Sequence, residues 1–257
     1  MNWKLSLAGL LIGSLVGVTG MGGGSLMTPI LIILFDFKAL VAVGTDILHG
    51  AIFKSIGAWR HRGFGHVHGR LTLWMASGSI PASLAGVYVV ELLKNRYGDG
   101  VNDIATRILG GALVAVGIGF FVKTYLHRRP ADDRPYRLKR RDRVLAVLIG
   151  LVGGFVLGLT SVGSGTFFGL MLILLFPLTA AKIVGTDIFH AAILLWAAGF
   201  AHLSAGNVDL AATGWLATGS IPGVLLGSQL TVRLPERAIR TSLAVVLLLA
   251  GVKLLTS

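Results

Sequence analysis

The chain has 257 residues, 54% of them hydrophobic and 13% charged, with a formal charge of +12 and no cysteine. The missing cysteine excludes disulfides, thiolate metal sites and cysteine nucleophiles. The apolar residues fall in long blocks with almost no polar face, which excludes a soluble core of amphipathic helices or alternating strands and predicts an all-α polytopic membrane protein.

The first apolar run, residues 5–20, follows Met1-Asn2-Trp3-Lys4 and has the outline of a signal peptide. Its leucines and glycines recur internally, however. A shift of 141 residues carries Leu7, Gly9, Gly13 and Gly17 onto Leu148, Gly150, Gly154 and Gly158, so the run is expected to belong to the fold. Gly22-Gly23-Gly24-Ser25 follows, then a short apolar run over residues 25–35. As a helix that run reaches only about 16 Å, too short to cross a bilayer alone, so with residues 5–20 it reads as a broken helix or re-entrant hairpin. The next three runs, residues 39–59, 71–92 and 104–122, reach about 28 to 33 Å each and can cross.

The second half repeats this order with residues 144–160, 166–176, 180–202, 210–232 and 238–255. Gly163-Ser164-Gly165-Thr166 takes the place of the first glycine stretch, Gly185-Thr186-Asp187 of Gly44-Thr45-Asp46, His190 of His49, and Gly219-Ser220-Ile221-Pro222 of Gly78-Ser79-Ile80-Pro81. The organisation expected is a first repeat over residues 1–126, a basic linker over 127–143 and a second repeat over 144–257. Counting each broken helix once gives about eight spans, within a range of about six to ten.

Lysine and arginine concentrate in loops. Such loops mark the cytoplasmic side and account for the net charge without nucleic acid. The basic loop at residues 60–70 has a second-half counterpart, residues 201–211, with no lysine or arginine, whereas Arg233, Arg237 and Arg240 make a later second-half loop basic, its first-half partner carrying only Lys94 and Arg96. This contrast favours inverted copies, and an eight-span count with parallel copies is the alternative.

The chemistry centres on the duplicated motifs. Gly22, Gly23, Gly24 and Ser25, with Gly163, Ser164, Gly165 and Thr166, would present backbone N–H groups and the positive ends of helix dipoles to an anion inside the membrane. The same glycines also suit close helix crossing. Asp46 and His49, like Asp187 and His190, lie three residues apart on one helix face and suit proton coupling. Gly-Thr-Asp at a segment start is equally a helix-cap signature for Thr45, Asp46, Thr186 and Asp187. Lys54 stands where the second copy has Leu195, and either attracts an anion or snorkels to the basic loop. His61, His66 and His68 sit among arginines without acidic partners, so a cationic loop is expected and no metal. Gly-Ser-Ile-Pro inside the fourth segment of each half predicts a proline kink.

With these repeats and motifs the chain resembles, from residue 5 to about 255, the TauE/SafE family of sulfite and organosulfonate exporters, also called the toluene sulfonate uptake permease family. The resemblance implies a multi-pass inner-membrane carrier of small sulfur-containing or organic anions, either exporter or uptake permease. Its partners would be the anion and the bilayer, with a homo-oligomer compatible and no cofactor implied. A gradient must drive it, since Gly-x-x-x-x-Gly-Lys-Ser/Thr is absent. A membrane-embedded enzyme and a non-transporting subunit are the rival classes.

Overall fold

A computed structural model of the chain describes residues 3–19, 24–125, 136–230 and 236–256. Gly22 and Gly23, and the linker stretch 127–135, lie outside them. The described residues form α1 (Trp3–Thr19), α2 (Gly24–Phe35), α3 (Ala39–Gly63), α4 (Gly69–Tyr97), α5 (Val101–Tyr125), α6 (Arg140–Thr160), α7 (Phe167–Leu175), α8 (Ala180–Ser204), α9 (Leu210–Leu230) and α10 (Glu236–Thr256), with a 3-10 turn at Gly98–Gly100 and no strand among them. Helices are the expected outcome, because a bilayer offers no water to satisfy backbone polar groups.

Among the described residues five stretches are long and apolar enough to cross: Ala39–Gly63, Gly69–Gly119, Arg140–Thr160, Ala180–Ser204 and Leu210–Gly227. The second is not one span. Gly98, at φ 54°, and the turn that follows divide it into α4 and α5. Lys38, just before α3, pairs with Asp99 in this turn at 2.8 Å, and that hydrogen bond holds the Asp99 carboxyl below its usual range. The short helices α2 and α7, of 12 and 9 residues, follow the glycine breaks as expected.

Helix packing exchanges the halves. α1 lies on α9, and their shifted equivalents, α6 and α4, lie on each other. Glycines make these seams possible: a Cβ on Gly13 would meet the Ser220 carbonyl, and one on Gly154 the Ser79 carbonyl. Gly9 faces Leu216 where Gly13 faces Ser220, so α1 and α9 run parallel; Gly78 against Val147 and Gly86 against Phe155 make α4 and α6 parallel too. The helices that are shifted equivalents of each other pack head to tail. Gly50 meets Leu195 while Gly57 meets Ile188, so α3 and α8 are antiparallel, and α5 and α10 cross at Gly110 and Gly251 in the same sense. These pairings come in two-fold sets.

Burial is arranged as a membrane requires. α1 exposes Leu7, Leu11 and Leu15, and α6 exposes Leu148, Leu151, Val152 and Phe155. α3 and α8, in the middle, carry buried Thr45, Asp46, His49, Lys54, Thr186, Asp187 and His190. An apolar outside around a polar inside suits hydrocarbon surroundings and an internal path.

Candidate functional site

The site lies where the second glycine break and the start of α2 meet α3 and α8. In the second break α6 ends at Thr160, Ser161 takes a left-handed conformation (φ 62°), and Gly163 and Gly165 have φ of 143° and 98°. Glycine adopts such angles without steric cost, so the chain turns within a few residues and restarts as α7 at Phe167. Two backbone N–H groups flanking the stretch 163–166 are satisfied within the break itself. The Phe168 N–H donates to the Gly163 carbonyl and the Val162 N–H to Thr160 Oγ1.

The break's side chains reach the central helices. Ser25 Oγ and Thr166 Oγ1, each the shifted counterpart of the other, hydrogen-bond at 2.8 Å. This joins the start of α2 to the residue capping α7. Thr28 Oγ1 and Ser161 Oγ each approach Asp46 Oδ2 to 2.6 Å and each other to 2.7 Å. Asp46 Oδ1 is buried with no hydrogen-bond partner among the described residues. Lys54 Nζ donates to the Ser164 carbonyl and to Ser164 Oγ, both at 2.8 Å.

The capping reading of Asp46 and Asp187 is overturned. α3 is capped at Lys38 and α8 at Thr179, whose side chain accepts from the Lys182 N–H, so both aspartates lie about two turns inside their helices. The threonines beside them serve other helices. Thr45 Oγ1 accepts from the N–H of Asp209, which caps α9, and Thr186 Oγ1 accepts from the N–H of His68, whose ring caps α4. Snorkelling of Lys54 is overturned as well: the residue is 3% exposed and tied to the break.

The histidines join the two halves. His49 Nε2 meets Ser220 Oγ and His190 Nε2 meets Ser79 Oγ, both at 2.8 Å, and each ring's Nδ1 is buried without a partner among the described residues. Pro81 and Pro222 of the Gly-Ser-Ile-Pro motifs lie inside α4 and α9, and the motif's serine makes the contact to the site. Thr28 and Ser161 gave no sequence signal, since neither recurs in the other copy: their counterparts are Gly169 and Gly20. Among the described residues no cluster could hold a metal ion.

Residues 5–254 match the family model described as "Sulfite exporter TauE/SafE". The chain is 38% identical over 256 residues to the probable membrane transporter protein YjnA of Bacillus subtilis (strain 168), covering 99% of this chain and 100% of that one. It is 22% identical over 245 residues to the probable membrane transporter protein YdhB of the same organism, covering 95% and 96%. Over 167 residues it is 27% identical to the probable membrane transporter protein MJ0441 of Methanocaldococcus jannaschii, covering 63% and 57%. No solved structure matches.

Proposed function

The chain belongs to the TauE/SafE sulfite exporter family of membrane transporters, and from that premise we propose that it is a secondary carrier of the inner or plasma membrane, exporting a small sulfur-containing anion such as sulfite, thiosulfate or an organosulfonate. The observation that carries this reading is the meeting of α2 and α7 at Ser25 and Thr166, with buried Lys54 bonded to the break that precedes α7. Two helix starts and an ammonium give an anion what it needs in hydrocarbon: oriented donors and one positive charge. The antiparallel course of α3 and α8 supports copies inverted across the bilayer, the arrangement on which alternating access about a central site rests.

The site is asymmetric. Leu195 replaces Lys54 in the other copy, so the anion binds at the Ser164 break, where it displaces Ser164 from the ammonium. The charges of Asp187 and Asp46 act on Lys54 from the same central helices. One lysine against two aspartates leaves no surplus positive charge for an arriving anion, so a cation enters with it. The place for a proton is the Asp46 triangle. Thr28 and Ser161 supply two hydroxyl protons for three close contacts, and a third proton on Asp46 completes the ring.

The test is flux in proteoliposomes. Sulfite, thiosulfate and a short sulfonate are offered under imposed pH gradients, and at least one is expected to move intact and faster with the gradient than without. No flux of any of them under any gradient would remove the reading. Chemical conversion of the substrate would favour a membrane enzyme instead.

A further inference from the structure

The geometry points to a binding site for one anionic diacyl phospholipid along the α4–α6 seam, separate from the transport path. At the starts of these two parallel helices, Arg70, Trp74, Arg137, Leu138 and Arg143 line a recess of about 680 Å³. Three exposed guanidinium groups therefore surround one recess, and among the described residues no acidic one lines it. The nearby carboxylate of Asp142 accepts from the Lys139 N–H. Arg143 also stacks over the Trp74 ring, 5.9 Å from its centroid. Arginine clusters grip phosphate in fork geometry, and a tryptophan beside them sits at headgroup depth.

Further along the same seam is an apolar trough of about 590 Å³ whose walls include Pro81, Ala85, Leu151 and Phe155. From Trp74 to Pro81 and from Arg143 to Leu151 the helices rise about 10 to 12 Å. Because α4 and α6 run parallel, head recess and trough follow one another on one line, as the phosphate and acyl chains of a single lipid do. A free phosphate would use the recess and leave the trough irrelevant.

The fold contains its own control. The equivalent seam, α1 on α9, keeps a tryptophan, Trp215, in place of Trp74 but has Ala211 in place of Arg70. An arginine at the position of Arg70 is therefore not a requirement of the packing shared by the two seams. Arg70 closes one basic loop and Arg137 and Arg143 belong to the linker region, so the recess brings both basic stretches to one end of the molecule. That end is the side on which anionic headgroups draw basic residues.

Native mass spectrometry of the purified full-length protein tests this with phosphatidylglycerol, phosphatidylcholine and water-soluble glycerol phosphate as probes. Phosphatidylglycerol is expected to stay bound at collision energies that strip phosphatidylcholine. A variant with Arg70→Gln and Arg143→Gln should lose that preference by tenfold or more. Ala85→Trp, which fills the exposed trough, should reduce phosphatidylglycerol retention severalfold while leaving the arginines intact. Equal retention of the two lipids by the unaltered protein would overturn the proposal. So would glycerol phosphate binding as tightly as the lipid, or unchanged retention in Ala85→Trp. Flux assays on the arginine variant separate this site from the transport path: anion flux in proteoliposomes of phosphatidylcholine alone should persist.

Discussion

Lys54 is the residue whose presence is hardest to explain by stability. A lysine at the centre of a membrane helix costs about 2.5 to 3.5 kcal/mol on insertion scales, and two bonds to the neutral oxygens of Ser164 offset only part of that. Lys54→Met should therefore leave thermal stability unchanged or raised, yet lower anion flux at least tenfold. A variant that unfolds early and keeps its flux per folded molecule would make Lys54 structural. Asp46→Asn separates the second charge. It should fold, keep anion exchange between equal pH compartments, and lose the stimulation by a pH gradient. Undiminished stimulation would move the proton elsewhere, the Nδ1 atoms of His49 and His190, without a partner among the described residues, being the next places to look.

At the scale of elements, the seams depend on backbone approaching backbone. Gly154→Leu sets a side chain against the Ser79 carbonyl, and Gly13→Leu sets one against the Ser220 carbonyl. Each is expected to cost about 1 to 3 kcal/mol, and more where the helices cannot part. Gly214, with nothing within 4 Å of a Cβ, is the matched control, and Gly214→Ala should be neutral within about 1 kcal/mol. Thermal unfolding in detergent reads all three. Equal stability of the three variants would mean that the seams yield freely. Helix positions themselves were legible in the hydrophobic blocks, because block length against bilayer thickness separates crossing helices from half-length ones. α3, expected over residues 39–59, runs to Gly63 because Arg60, His61 and Arg62 extend it beyond the apolar block, with their charges at the favourable end of the helix dipole.

For the whole molecule the remaining question is how the halves lie across the bilayer. A chain without cysteine makes a clean background for single-cysteine labelling. Phe64→Cys and Arg137→Cys should react with an impermeant maleimide from the same side, and Ala205→Cys from the other. Labelling of all three from one side would require parallel copies. Joining Arg70, Arg137 and Arg143 in one recess already ties the first two loops to the same end.

The duplication, the half-length segments and the residue types of the site are written in the chain, because periodicity, hydropathy and the 141-residue shift are properties of one dimension. The function class followed from the family that they make the chain resemble. What the chain could not express was who faces whom. Asp46 looked like a cap because Gly-Thr-Asp is a local signature, while its helix begins earlier, at Ala39, and its partners Thr28 and Ser161 come from two other elements. Lys54 looked free to snorkel because only the folding of the second break onto α3 supplies Ser164. Contacts between elements far apart in sequence arise when the halves exchange helices, and that packing alone decides which buried polar groups share a site.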